Sequence, residues 1–138
     1  MSKVLIADDE ANVRELCRVV LEGEGFEVIE AKDATQAIAL TREHQPDLVL
    51  LDWMMPGVDG MEALRVLKSS ATTRDIPVVM LTALDGLAEI TVATYSGADG
   101  YVTKPFEVDD LLSLVHRFVD HPPTDASAEK ARGEDANE

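Results

Sequence analysis

The chain holds one cysteine in 138 residues, Cys17, so an internal disulfide is excluded and the thiol is expected as a small core residue. Positive charge is scarce too. Twelve lysines and arginines face 27 aspartates and glutamates, and the net charge of −15 repels nucleic-acid phosphates, so direct nucleic-acid binding is not expected. No apolar run approaches the roughly 20 residues that span a bilayer, and Met1-Ser2-Lys3 leads straight into a strand pattern instead of a signal-peptide apolar region. No membrane insertion and a cytoplasmic location are expected. The three histidines, His44, His116 and His121, share no evident spacing and fall near helix ends, where surface capping is the expectation. There is no internal repeat and no linker to another domain. One domain of ordinary size can bury a full core at this length, and a second large one has no room.

What is present is organised around Asp47 to Gly60. Leu48 to Leu51 is an unbroken apolar run, the pattern of a parallel strand covered on both faces, and it stops at the carboxylate of Asp52. Pro56 and Gly57 suit the turn that follows, and Asp59 is placed to cap a helix carrying Met61, Leu64 and Leu67 on one face. An Asp at such a place is often only a turn residue. Three further strand ends weigh against that: Val4 to Ala7 runs into Asp8-Asp9-Glu10, Val78 to Leu81 into Thr82, and Tyr101 to Thr103 into Lys104-Pro105. In a parallel sheet these ends share one edge, the edge where open α/β sheets bind ligands.

Between the strands, Val13, Leu16, Cys17, Val20 and Leu21 make the stripe of a helix packed on a sheet, closed by Gly23 and Gly25. Phe26 to Ala31 reads as a weaker strand interrupted by Glu27 and Glu30, and Asp33 with Gln36 makes a capping-box-like start for a helix ending before Pro46. Pro77 heads the fourth strand, where a missing N–H is tolerated. A fourth helix is expected on a thin stripe of Leu87, Ile90 and Ala93, and a last one on Val108, Leu111, Leu112, Val115, Phe118 and Val119. From His121 the composition turns to Pro, Ala, Ser and charge, so residues 1–120 are expected as the folded domain and 121–138 as a disordered acidic tail. Five strands alternating with five helices predict an α/β fold, a doubly wound five-stranded parallel sheet, flavodoxin-like, in the order 2-1-3-4-5.

Asp8, Asp9 and Asp52 gathered at one edge would repel one another unless a cation were present. Hard oxygen ligands that leave room for water and phosphate suit Mg²⁺ better than Zn²⁺. Lys104 adds a point charge for an anionic oxygen and Thr82 a hydroxyl donor. A carboxylate nucleophile, Mg²⁺, an amine and a hydroxyl suit phosphoryl transfer onto Asp52, where catalysis is mostly positioning and charge neutralisation.

Asp8-Asp9, Asp52 with Met55-Pro56-Gly57 and Asp59-Gly60, Thr82-Ala83 and Lys104-Pro105-Phe106 together closely resemble the receiver domain of two-component response regulators, over essentially Lys3 to Asp120. The resemblance implies that Asp52 is the phosphoacceptor, that Asp9 and the Met54 backbone carbonyl bind Mg²⁺, and that Asp8 acts through water. It implies that Lys104 and Thr82 bind the phosphoryl oxygens and that Tyr101 is the switch aromatic. It also implies a cis Lys104–Pro105 peptide, a geometry seen in only about 5–6% of such bonds. The expected partner upstream is a histidine kinase or phosphotransfer protein. Downstream, an unknown protein reads the face formed by the fourth helix, fifth strand and fifth helix, on a monomer or a weak phosphorylation-dependent dimer. Such a chain is a phosphoacceptor signalling domain, not an enzyme, although it assists its own phosphorylation and dephosphorylation. Met54 and Leu84, apolar and bulky, are placed to cover the line of the hydrolytic water, so a long-lived phosphoryl group is expected.

The family's usual output domain is not expected here, which resembles single-domain regulators of the chemotaxis or kinase-adaptor kind. A haloacid dehalogenase-type phosphatase would need a second Asp where Met54 stands. A phosphorylation-independent scaffold usually loses an acidic or lysine position, and none is lost here. A receiver portion of a longer DNA-binding regulator is the third alternative; the Asp/Glu/Ala-rich end leads to the expectation of a natural terminus.

Overall fold

The computed structural model describes residues 2–55, 57, 59–82 and 96–119. The helix expected around Leu87, the rim residue Leu84, His121 and the tail expected beyond it lie outside the described residues. Five strands, β1 (Lys3–Ala7), β2 (Glu27–Ala31), β3 (Leu48–Asp52), β4 (Val78–Thr82) and β5 (Gly100–Thr103), form one parallel sheet in the order β2-β1-β3-β4-β5. That is the doubly wound, flavodoxin-like order expected from the sequence. The described helices are α1 (Ala11–Gly23), α2 (Ala34–His44), α3 (Gly60–Ser69) and one spanning Val108–Phe118.

Every residue of β3 and β4 is buried, which is why neither strand alternates in sequence. Their side chains divide between two core layers according to the two-residue period of a strand. Leu5, Val49, Leu51, Val78 and Met80 pack with Ala37 of α2 and with Leu64 and Leu67 of α3. Val4, Ile6, Leu48, Leu50, Val79 and Leu81 face the other way, onto Cys17 and Leu21 of α1 and onto Leu111 and Val115. Each large aliphatic side chain so buried contributes about 1.5–3 kcal/mol before the entropy of ordering is set against it.

Local signals end the elements where the sequence predicts. Asp33 Oδ1 accepts from the Gln36 amide at 2.7 Å, and Gln36 Oε1 reaches back to the Lys32 amide at 2.7 Å, one residue before the usual capping-box donor. Gln45, before Pro46, caps α2 in the left-handed conformation, φ 49°. Asp59 caps α3 by accepting from the Glu62 amide at 3.0 Å.

The apolar stripes are narrower than the sequence spacing suggests. In α1 only Cys17 and Leu21 are fully buried; Leu16 is 44% exposed, because it lies one residue, about 100° of helix rotation, off the line that meets the sheet. In the Val108–Phe118 helix, Val108 is exposed and Leu114, absent from the expected stripe, is buried. His116 is not a surface cap. It lies part-buried, with its ring centroid 5.5 Å from that of Phe26 and Nε2 3.3 Å from Glu24 Oε1.

Candidate functional site

Parallel pairing brings the chain's acidic and cationic strand ends to one edge. Asp52 is the last residue of β3 and Thr82 the last of β4, while Asp8 follows β1 and Lys104 follows β5. The register sets Asp52 beside Leu81 and Thr82 beside Thr103. Gly60 packs against the main chain at the end of β3: its amide donates to the Trp53 carbonyl at 2.8 Å, and a Cβ there would collide with the Asp52 carbonyl oxygen. The hydrogen of glycine is the only side chain that fits.

Asp8, Asp9 and Asp52 each offer a carboxylate oxygen, and the three oxygens lie within 4.8 Å of one another. Asp8 is fully buried and Asp52 is 4% exposed, whereas Asp9 faces solvent. Asp8 Oδ1 accepts from the Glu10 amide at 2.9 Å, and Asp52 Oδ1 accepts from the Met54 amide at 3.4 Å. Lys104 Nζ sits among them, 2.8 Å from Asp8 Oδ2, 3.5 Å from Asp52 Oδ1 and 3.7 Å from Glu10 Oε1. Its peptide bond to Pro105 is cis, as expected, and its amide donates to the Thr82 carbonyl at 2.8 Å, tying the β5 end to the β4 end. Asp9, Glu10, Asp52, Met54 and Lys104 line a cleft of about 320 Å³.

The electrostatics of this cleft are unbalanced. Burial, and then the neighbouring Asp8 charge, push Asp52 up to about 6 from an ordinary 3.8, against the opposing pull of Lys104 and the Met54 amide. Burial also works against the Lys104 ammonium, but Asp8, Asp52 and Glu10 outweigh it and hold its pKa above the ordinary value. One amine therefore serves three nearby carboxylates, and Asp8 Oδ2 is buried without a directed hydrogen bond although the ammonium is close.

That donor set fits a small hard cation. Octahedral Mg²⁺ at 2.0–2.1 Å sets its oxygen ligands about 3 Å apart when adjacent and about 4.2 Å apart when opposite, which the three carboxylates reach with small movements. Asp8, Asp9 and Asp52 would hold it, and no described histidine or cysteine joins the cluster.

The family model described as response regulator receiver domain matches residues 4–116. The chain belongs to that family. Receiver domains are phosphoacceptor domains of two-component signalling; as a family they bind Mg²⁺ at an acidic pocket and interact with histidine kinases or phosphotransfer proteins. This receiver domain is 44% identical over 113 residues to the phosphate regulon transcriptional regulatory protein PhoB of Klebsiella pneumoniae, covering 82% of this chain and 49% of that one. It is 42% identical to the DNA-binding response regulator MtrA of Mycobacterium leprae, with the same coverage. The chain thus spans about half the length of the curated relatives it matches. Among solved structures, the chemotaxis protein CheY4 of Vibrio cholerae superposes with a TM-score of 0.82 at 28% identity, covering 86% of this chain and 99% of that one. The receiver domain of the Francisella response regulator 1452 gives 0.80 at 33% identity, covering 86% and 96%.

Of the positions singled out from sequence, the receiver fold brings Asp8, Asp9, Asp52 and Lys104 into one cluster and sets Thr82 at the adjoining strand end, buried. Tyr101 stands on β5, 45% exposed. Met54 and Met55 part company: Met55 is core, but the Met54 side chain is 62% exposed and lines the cleft. Sequence reasoning gave no role to Glu10, which faces Lys104, or to Arg14, whose Nη1 donates to the Asp8 carbonyl at 2.6 Å. The signal for Arg14 lay in Glu30, a carboxylate interrupting a strand.

Proposed function

We propose that this receiver domain accepts a phosphoryl group on Asp52 from a histidine kinase or phosphotransfer protein, with Mg²⁺, and passes the signal by phosphorylation-dependent protein contact. The observation that carries the reading is the cluster itself: one buried carboxylate at a strand end, flanked by two others and reached by a lysine amine at 3.5 Å. An Asp52 oxygen attacks phosphorus, the bond from phosphorus to the donor imidazole nitrogen breaks, and the released imidazole takes up a proton. Bound between Asp8, Asp9, Asp52 and the Met54 carbonyl, Mg²⁺ would supply charge neutralisation for the incoming phosphoryl oxygens. Lys104 holds a second phosphoryl oxygen and the Thr82 hydroxyl donates to a third. The same Lys104, with the Met54 amide, favours the ionised, nucleophilic Asp52 that burial opposes.

In this reading Thr82 moves toward the new phosphate and Tyr101 turns inward behind it. The changed surface comprises β5, the Val108–Phe118 helix and the helix expected around Leu87. Residues 1–120 act as the domain, and the protein works in the cytoplasm without binding nucleic acid itself. Acetyl phosphate with Mg²⁺ is expected to add one phosphoryl group by intact mass, lost in Asp52→Asn or on chelation, and to shift the amide resonances of Gly100 to Thr103. Labelling of Asp52→Asn would refute the acceptor. Shifts confined to the loops around Asp52 would refute the switch.

Slow hydrolysis also belongs to this reading. Neither Met54 nor Leu84 can orient a water, so Met54→Asn with Leu84→Glu is expected to shorten the phosphoryl lifetime at least roughly tenfold, below the factor of about 10² that a positioned proton acceptor commonly supplies. Phosphate release from the purified phosphoprotein measures it, and equal rates would leave these residues without a role in timing.

A second reading has a specific support. Because the matched segment makes up only about half of the curated relatives, the chain also suits the receiver portion of a DNA-binding regulator. An immunoblot of the native protein decides: a band near 15.0 kDa favours the single-domain reading, and a markedly larger one favours the longer regulator.

A further inference from the structure

The main chain of the β1–α1 loop, which carries the acidic side chains, is held from behind by a residue outside the cleft. Arg14, in the first turn of α1, donates from Nη1 to the Asp8 carbonyl at 2.6 Å and from Nε to Glu30 Oε1 on β2 at 3.2 Å. Its side chain is 17% exposed. The other Glu30 oxygen is engaged by Arg18 Nε at 3.1 Å. We propose that Arg14 is a positioning residue, fixing the Asp8–Glu10 main chain and through it the direction in which Asp8 and Asp9 present oxygen to a cation. The inference rests on the cleft being a Mg²⁺ site.

The geometry supplies the mechanism. The Asp8 amide is tied to the Ala31 carbonyl at 3.1 Å, and Asp8 Oδ1 is tied to the Glu10 amide, so the orientation of the Asp8–Asp9 peptide is what remains to be set. A guanidinium is a rigid planar fork, and once Glu30 holds Nε the direction of Nη1 is settled. Lysine could not do both. Glu30 also offsets the Arg14 charge, which would otherwise stand close to a cation site. Two roles for Arg14 therefore predict opposite signs. If Arg14 acted as a fixed positive charge, its removal would tighten Mg²⁺ binding; if it positions the ligands, its removal loosens it.

The test compares wild type with Arg14→Gln, Arg14→Lys and Arg18→Gln. Mg²⁺ affinity is read from the fluorescence of Trp53, the one tryptophan, adjacent to Asp52, and loop order from hydrogen exchange of the Asp9 to Val13 amides in metal-free protein. Arg14→Gln is expected to raise the Mg²⁺ dissociation constant roughly tenfold, the low end for losing a group that orients a metal ligand, and to speed exchange at Glu10. Arg14→Lys keeps the charge without the fork and falls between. Arg18→Gln breaks the other half of the Glu30 pair without touching Asp8, and leaves both readouts near wild type. Arg14→Gln matching Arg18→Gln in exchange, or binding Mg²⁺ more tightly than wild type, would overturn the proposal. Failure of the wild type to bind Mg²⁺ would count against the cleft as a metal site, while the exchange comparison still decides for Arg14.

Discussion

Lys104→Met is expected to bind Mg²⁺ more tightly than wild type and yet to accept phosphoryl groups about 10²-fold more slowly, the cost of losing one preorganised charge at a developing anion. The opposed signs follow from where the amine sits. Nζ stands 2.8 Å from Asp8 and 3.5 Å from Asp52, so it neutralises the same carboxylates that a cation would use. Two unit charges 4 Å apart interact by about 4 kcal/mol at an effective dielectric constant of 20, and even a quarter of that is roughly a fivefold change in affinity. In the proposed transfer the requirement reverses, because the amine would meet an oxygen of the phosphoryl group that the metal cannot reach alone. Mg²⁺ titration by Trp53 fluorescence and a time course of labelling measure the two effects on one sample. A variant weakened in both would make Lys104 a structural tie between β5 and β1; one weakened in neither would remove it from the site.

Asp52→Asn is expected to be more stable than wild type in metal-free buffer at neutral pH, although it removes the proposed phosphoacceptor. Folding carries Asp52 from an ordinary 3.8 up to about 6. The folded state therefore keeps a proton that the unfolded state has released, so wild-type stability falls as pH rises from about 4 to about 6 and stays low above that. A rise from 3.8 to about 6 corresponds to at most about 3 kcal/mol. Asparagine cannot ionise, so the variant should show a flatter profile between these limits and a gain of up to that size at pH 7.5, with little difference below pH 4. Urea melts of both proteins across this range test it. Saturating Mg²⁺ should narrow the gap by stabilising wild type, by about 2.7 kcal/mol at one hundred times its dissociation constant. Parallel profiles for the two proteins would show that Asp52 folds without electrostatic cost, and the cleft would lose its reason to bind a cation.

How far such behaviour can be read from sequence depends on whether a residue's role is local. Asp52 was legible because burial on both faces removes alternation from β3, and the first charge after the run marks the strand end. Lys104 and Asp8 were legible for the same reason, since parallel strands put their ends at one edge. The caps at Asp33 and Asp59 are local and also stood out. Pairings that cross between elements did not. Glu30 reads as a flaw in a strand until Arg14 and Arg18 of α1 are placed against it. His116 reads as a helix-end surface group, yet its partners Glu24 and Phe26 come from the far end of the chain. Met54 and Met55 are adjacent and chemically identical, and only the path of the loop sends one into the core and the other to the cleft rim. The breadth of the α1 stripe misled in a different way: Leu16 is apolar at helical spacing, but it lines an open groove with Val13 and Phe106 instead of meeting the sheet.

Central to the proposed function is an Asp52 that carries the phosphoryl group and a divalent cation that is needed to put it there. Borohydride reduction after incubation with acetyl phosphate tests it most directly, because an aspartyl phosphate is reduced to homoserine while a free carboxylate is untouched. Peptide mapping should then find homoserine at position 52 alone, in protein treated with Mg²⁺ and not in protein treated with chelator. Homoserine at position 8 or 9, or at position 52 in equal yield without metal, would contradict the account.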